Sequence, residues 1–193
     1  SVITHPGVAV PLDSGLTPAG APFLVLQFVP GPTLRAILAN GALAPQRACL
    51  LLAQIADALE EVHKRSILHL DLKPENILIS NAGQPSEQAV IVDFGIARFR
   101  GLNEPRDASV VGGSFAYMAP EILTGDPSPA SDQYALALIA QEMLTGVKPA
   151  PPGAAPDAIS GDAAHRPLKA GMRKVISRAL NPAPALRYRN ASE

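Results

Sequence analysis

Three oxygen-bearing side chains are spaced so that they could support metal-dependent chemistry. Asp71 and Asn76 lie five positions apart within the string HLDLKPEN (69–76), and Asp93 ends an apolar stretch 17 residues beyond Asn76. Carboxylate and carboxamide oxygens suit Mg²⁺, and one carboxylate would remain to accept a proton. Lys73 adds a positive charge two residues from Asp71. This combination of metal ligands, proton acceptor and cation is what phosphoryl transfer needs, because that reaction depends mainly on positioning and charge neutralisation.

The elements on either side of these residues are predicted to be short strands. Apolar runs at 76–80 and 89–95 are separated by the polar stretch 81–88, a pattern that indicates a β-hairpin. Further upstream, the continuous apolar run 23–29 lies between two prolines and predicts a buried strand. The chemistry-bearing residues would thus lie at the ends of strands.

Helices account for most of the remaining chain. Thr33 is a predicted cap for a short helix that ends before Gly41, and Pro45 opens a longer helix. One face of the longer helix is apolar, with Leu52, Ile55, Leu59 and Val62 at helical spacing. A helix from Ser131 to Gly146 is apolar almost all round, which predicts burial on every side, and 169–180 forms a last amphipathic helix. With loops at 98–113 and 147–167, the sequence predicts a mainly α (α+β) fold.

Composition narrows the class of protein. The net charge of −1 and the pI near 6.4 argue against a nucleic-acid-binding protein. The single Cys49 cannot form an internal disulfide, so a reducing compartment, the cytoplasm, is the predicted location. The longest apolar run, around 134–140, is too short to span a bilayer, and the scattered histidines argue against a zinc site.

The motifs together resemble those of eukaryotic-like Ser/Thr protein kinases, including the bacterial ones. HLDLKPEN resembles the catalytic loop, and 93–95 (DFG) and 119–121 (APE) resemble two further family motifs. A lone DFG is a weak signal, but the three strings in this order are far more restrictive. The resemblance runs nearly end to end and implies a partial kinase domain over residues 1–193. Residues 1–29 would be the end of the small lobe and the hinge, and 30–193 a large lobe cut near its C-terminus.

The resemblance assigns catalytic roles by position. Asp71 would orient the substrate hydroxyl and accept its proton, and Lys73 would steady the γ-phosphate of ATP. Asn76 and Asp93 would hold Mg²⁺. Ser114 stands where the family usually has Thr, and its hydroxyl would contact Asp71 and Lys73. The implied partners are proteins with Ser or Thr acceptors.

The same resemblance implies an adenine site and a structural framework. Backbone groups of Gln27, Phe28 and Val29 would meet adenine, with Leu26 as gatekeeper and Leu78 as the floor of the pocket. The implied framework residues are His69, Phe94, Asp132 and the ion pair of Glu121 with Arg187. Glu75 is left with two interpretations, a contact to a basic substrate residue or a structural hydrogen bond.

Two departures from the family pattern shape the functional hypotheses. Leu70 replaces the Arg that usually pairs with a phosphate on the activation loop, which argues against that switch. Residues 1–193 contain no glycine-rich loop, strand Lys or partner Glu, so we expect this fragment alone to be inactive. The alternatives to a kinase are a pseudokinase scaffold and a small-molecule phosphotransferase of the aminoglycoside type. Lys73-Pro74-Glu75 and the segment 117–121 favour protein substrates.

Overall fold

The computed structural model describes residues 3–94, 114–149, 168–191 and 193. Its elements, in chain order, are β1 (Pro11–Leu16), β2 (Pro22–Leu26), α1 (Leu34–Leu38), α2 (Pro45–His63), β3 (Ile77–Ser80), β4 (Gln88–Ile91), α3 (Pro120–Thr124), α4 (Pro129–Thr145) and α5 (Ala170–Ala179). Short 3₁₀ turns cover Pro74–Asn76, Ser114–Tyr117 and Pro184–Leu186. Helices dominate and the strands form two antiparallel pairs, β1–β2 and β3–β4, as the mainly α prediction requires.

The core lies between α2, α4 and the hairpin β3–β4. On α2, Ile55, Leu59 and Val62 are fully buried, as the helical spacing predicts, whereas Leu52 packs only partly against the core. α4 contributes Ile139 and Met143, both completely buried. Helix α2 packs against both α4 and β4, so it is the support on which the hairpin rests.

α4 is the most deeply buried helix, and its ends have specific caps. Ser128 and Ser131 form a reciprocal capping box, and the helix begins at Pro129, two residues earlier than predicted. Gly146 ends it in the left-handed conformation, with φ 78°. Polar residues are buried along this helix as well, namely Asp132, Gln133 and Glu142. Buried polar groups of this kind require partners, and those of Asp132 and Glu142 shape the site.

The predicted hairpin at 76–95 is confirmed as β3–β4. The register pairs Ile77 with Ile91 and Ser80 with Gln88. Successive side chains of β3 point to opposite faces, so Ile77 and Ile79 are completely buried and Leu78, on the other face, is partly exposed. On its other side β4 is bridged in parallel by Val8, and Ile91 N–H donates to the carbonyl of Gly7 at 2.8 Å. The hairpin is thus held on both sides.

The predicted burial of the strand at 23–29 is wrong. The strand ends at Leu26, and Phe23, Leu24 and Val25 are 42%, 47% and 41% exposed. β2 pairs with β1 alone, and no other described element covers either face of this pair. An apolar run therefore forms a strand here without the packing that would bury it.

The remaining predictions concern loops and the last helix. α5 confirms the amphipathic helix at 169–180, with Ile176 and Ala179 buried. The predicted loop 98–113 and most of 147–167 lie outside the described residues. No helix in the described part of the chain is both long and apolar enough to cross a membrane.

Candidate active site

A buried carboxylate on α4 holds the loop that carries Asp71. Asp132 Oδ2 accepts from His69 N–H at 2.9 Å, and its Oδ1 accepts from Leu70 N–H at 2.8 Å. Leu70 has φ 58°, a left-handed conformation that costs about 1 kcal/mol or more for a residue with a side chain. Two bonds from one carboxylate to consecutive amides stabilise that turn. The loop geometry therefore comes from α4, and Asp132 has the framework role expected of it.

His69 links the loop to the end of β4. Burial lowers the pKa of His69, so the imidazole is neutral near pH 7. A neutral ring whose Nε2–H donates to the Val92 carbonyl at 3.0 Å leaves Nδ1 to accept from Asp71 N–H at 3.3 Å. The same ring contacts Phe94, with 4.9 Å between centroids. One buried side chain therefore connects the backbone of Asp71 to the segment that carries Asp93.

Asp71, Lys73 and Asn76 are in direct contact. Lys73 Nζ lies 2.8 Å from Asp71 Oδ2. Asn76 Nδ2 donates to the Asp71 carbonyl at 2.9 Å and to its Oδ2 at 3.3 Å. Asn76 is only 7% exposed, because the 3₁₀ turn Pro74–Asn76 brings it back under the loop. Since its nitrogen bonds to Asp71, its Oδ1 is the atom that remains to accept a cation.

The hairpin brings Asp93 to the same end of the molecule as Asn76. The Val92 N–H donates to the Asn76 carbonyl at 3.0 Å, which extends the β3–β4 ladder by one step. Asp93 follows at once, exposed and with φ 56°. One carboxamide and one carboxylate fit Mg²⁺, which uses few protein ligands when substrate phosphates supply others. Among the described residues, no group of three or more His, Cys, Asp or Glu could hold a metal ion.

Gln27, Phe28 and Val29, whose backbone is predicted to meet adenine, begin the link between β2 and α1. The Gln27 N–H donates to the Val10 carbonyl at 2.9 Å, and Phe28 is 84% exposed. The C-terminal end of the link is fixed to the β3–β4 hairpin. Thr33 forms an isolated β-bridge with Leu78, and the Ile79 N–H donates to the Pro32 carbonyl at 2.9 Å. Leu78, the predicted floor, is thus adjacent to the link. Leu26 and Val29 are both partly buried.

Of the remaining predicted residues, the ion pair is confirmed and Ser114 stays a prediction. Arg187 forms two bonds to Glu121, at 2.6 and 2.9 Å, and both side chains are buried. Burial alone would raise the pKa of Glu121, but its hydrogen bonds, those from Arg187 first among them, lower it overall. The backbone of Ser114 begins the 3₁₀ turn Ser114–Tyr117, but its side chain lies outside the described residues.

Sequence reasoning missed a cluster beside the catalytic loop. Arg35 on α1 donates to Glu75 at 2.8 Å, to Glu142 at 2.5 Å and to the Tyr117 hydroxyl at 2.5 Å. Tyr117 also donates to Glu142 at 2.5 Å. Burial alone would lower the pKa of Arg35, but its bonds to Glu142, Glu75 and Tyr117 raise it overall. A signal for the cluster was present, since Glu142 is the one acidic residue between Tyr134 and Gly146 and a buried carboxylate requires a partner.

Comparison with known proteins gives a family match over most of the chain. The model of the protein kinase domain matches residues 8–183. The Ser/Thr protein kinase PknB of Mycobacterium tuberculosis is 35% identical over 210 residues, which cover 100% of this chain and 33% of PknB. The Ser/Thr protein kinase pkn2 of Myxococcus xanthus is 39% identical over 156 residues, covering 77% of this chain and 18% of pkn2. The chain spans about a third of the length of PknB, and less of pkn2.

Solved structures agree with the sequence comparison. The crystal structure of the kinase domain of PknI from Mycobacterium tuberculosis superposes with a TM-score of 0.74 at 28% identity. The superposition covers 98% of this chain and 69% of the PknI chain. The described elements therefore follow a kinase domain over nearly all of their length.

Proposed function

This chain belongs to the protein kinase domain family, and we propose that its parent protein transfers the γ-phosphoryl group of ATP to serine or threonine residues of protein substrates. The observation that carries the proposal is the contact of Asp71 with both Lys73 and Asn76. The family match and the Ser/Thr kinases among the relatives support the same reaction.

In this proposal Asp71 accepts the proton of the substrate hydroxyl. Its carboxylate lies on a loop held by Asp132 and His69, so its position does not depend on the substrate. A fixed base within hydrogen-bond reach of the hydroxyl orients it for attack, which accounts for about 10²–10⁴-fold in rate. Lys73, 2.8 Å from Asp71, is close enough to place its charge on the transferred phosphoryl group.

Asn76 and Asp93 are the proposed Mg²⁺ ligands. The orientation of Asn76 supports this role, because its nitrogen is bonded to Asp71 and its oxygen remains for a cation. Bound Mg²⁺ supplies positive charge to the phosphate oxygens. Gln27, Phe28 and Val29 would hold adenine through the backbone, beside Leu26 and above Leu78.

We further propose that residues 1–29 are the end of a small lobe and 30–193 most of a large lobe. The exposed apolar side chains of β1 and β2 support this division, since they are the side chains that additional strands would cover. Residues 1–193 contain no glycine-rich loop or strand Lys to cover the phosphates. The chain by itself is therefore expected to transfer no phosphate.

A phosphorylation assay on the full-length protein tests this function. With labelled ATP, Mg²⁺ and a panel of Ser- and Thr-containing peptides, we expect phosphoserine or phosphothreonine. Asp71→Asn should reduce the rate by about 10²–10⁴-fold. Asp57→Asn is the matched control, because Asp57 is an exposed carboxylate on α2 that contacts His5, away from the catalytic loop.

The other outcomes separate the alternatives. Retention of activity in Asp71→Asn to within a few-fold would refute the assigned base. ATP binding without any transfer would favour a scaffold. Label on an aminoglycoside and on no peptide would favour a small-molecule phosphotransferase.

A further inference from the structure

Arg35 joins three segments that are far apart in the sequence. It lies on α1, whereas Glu75 belongs to the catalytic loop, Tyr117 to the turn before α3 and Glu142 to the last turns of α4. Tyr117 is 2% exposed and Glu142 3% exposed, so their polar atoms have little access to water. The guanidinium supplies three of the bonds that satisfy them.

This cluster lies next to the position where a substrate hydroxyl must bind. Glu75 is two residues from Lys73 and one from Asn76, within the same turn. Tyr117 and Asp71 line the same small cavity, together with Leu72 and Met118. An extended peptide advances about 3.3 Å per residue, so side chains two or three positions from the acceptor fall within reach of the cluster.

The charges of the cluster explain what Arg35 does there. Without Arg35, two carboxylates and a tyrosine hydroxyl would face this region, and the exposed carboxylate of Glu75 would be open to a cation from the substrate. A guanidinium is the group that such a carboxylate binds most specifically. Arg35 already places one there, 2.8 Å from Glu75 and 2.5 Å from Glu142.

We propose that Arg35 is a specificity-determining residue: it occupies, from within the chain, the site that a substrate arginine would otherwise take between Glu75 and Glu142. The inference rests on the proposed kinase function. It resolves the two interpretations of Glu75 in favour of the internal bond, and it predicts that the enzyme gains little from a basic residue beside the acceptor.

The test compares peptide pairs on the full-length protein. Each pair has the same Ser or Thr acceptor and differs by one Arg or Ala at a position from four before to four after it. The wild type should show kcat/KM ratios (Arg over Ala) within about threefold of one. Arg35→Gln should raise the ratio about tenfold at one or two positions, mainly through KM, which is the effect of one charge-assisted hydrogen bond.

Three further variants make the result decisive. Arg35→Lys keeps the charge and should stay near the wild-type ratio. Arg35→Gln combined with Glu75→Gln should lose most of the gain. Arg47→Gln is the matched control, since Arg47 is also a half-exposed arginine bonded to a glutamate, Glu87 at 2.6 Å, away from the catalytic loop. Its ratio should not change.

Glu75→Gln decides the question even if Arg35→Gln does not fold, because Glu75 is partly exposed at the surface. The proposal predicts a change of less than about threefold in the Arg/Ala ratio, whereas a loss of about tenfold would mean that Glu75 binds a substrate arginine directly and would overturn it. An unchanged ratio in an active Arg35→Gln enzyme would also overturn it and leave the kinase function standing. If the wild type phosphorylates no peptide at all, the proposed function itself fails.

Discussion

The two hairpins in the described part of the chain have the same topology and opposite environments. β3–β4 is a pair of four-residue strands whose inward side chains Ile77, Ile79 and Ile91 are completely buried. β1–β2 has longer strands and as many apolar side chains, counting Ala, Val, Ile, Leu and Phe, yet Leu12 and Leu16 are 65% and 69% exposed. Strand pairing is therefore a local property of both sequences, whereas burial depends on what else packs against them.

The difference has a functional consequence. The buried hairpin carries Asn76 before its first strand and Asp93 after its second, and the ladder continues through the bond from Val92 to Asn76. Helix α2 packs against β4, so these ends have little freedom. The exposed hairpin leads instead into the link 27–29 proposed to hold adenine. The end of the site proposed to bind the metal is thus rigid within this chain, while the end proposed to bind adenine rests on the less supported hairpin.

The largest expected effect comes from truncating one side chain in each hairpin by the same three carbons. Ile91→Ala on β4 should reduce the free energy of unfolding by about 3–4 kcal/mol, because it leaves a cavity in the core. Leu24→Ala on β2 should change it by less than about 0.5 kcal/mol, since Leu24 is 47% exposed. Urea unfolding of both variants of residues 1–193 provides the measurement. Similar losses in the two variants would mean that the two hairpins do not differ in packing.

The contact between the link after β2 and strand β3 gives the next largest effect. Gly31 has φ +140°, and a Cβ added to it would lie 2.1 Å from the Ile79 carbonyl oxygen. Gly31→Ala must therefore separate the link from β3, and we expect a loss of about 2–3 kcal/mol in unfolding free energy. Gly20→Ala is the control, because Gly20 also has positive φ but has no atom within 4 Å of the added Cβ. It should cost about 1 kcal/mol.

The proposal that a small lobe covers β1–β2 predicts that one substitution destabilises the full-length protein more than it destabilises residues 1–193. Leu24→Ala should be almost neutral in residues 1–193 but should cost about 2 kcal/mol in the full-length protein, where the side chain would be buried. Thermal unfolding of wild type and variant in both lengths of chain supplies the comparison. An equally small effect in the full-length protein would show that this face stays exposed there.

Much of the fold followed from local signals, and the exceptions have a common physical reason. The hairpin at 76–95, the caps at Thr33 and Gly146 and the contacts among 71–76 depend on residues close in sequence. The burial of Leu24 depends on elements elsewhere in space, so an apolar run alone predicted it wrongly. The bond of Arg35 to Glu142 joins residues 107 positions apart, and no spacing rule relates them. A buried acidic residue in an apolar helix indicates that a partner exists without indicating which residue it is.

The smallest expected effect concerns the turn of the buried hairpin and its dependence on pH. Arg47 on α2 holds Glu87 just before β4, and this bond lowers the pKa of Glu87 below its ordinary value. A carboxylate whose pKa is lower in the folded state stabilises the protein above about pH 4.5, and loses that contribution as the pH falls through the folded pKa. Glu87→Gln should therefore cost about 1 kcal/mol or less at pH 7 and still less at low pH, where both proteins carry a neutral side chain.

Urea unfolding at pH 7 and pH 3.5 measures the difference in free energy of unfolding between wild type and Glu87→Gln. The other carboxylates do not affect this difference, because both proteins share them. Arg47→Gln should remove the same pH-dependent contribution to the free energy of unfolding, since it deletes the partner of Glu87. A difference that is equal at the two pH values would show that the Arg47–Glu87 pair does not anchor the hairpin electrostatically. The buried hairpin would then owe its position to apolar packing alone, and only the packing difference between the two hairpins would remain.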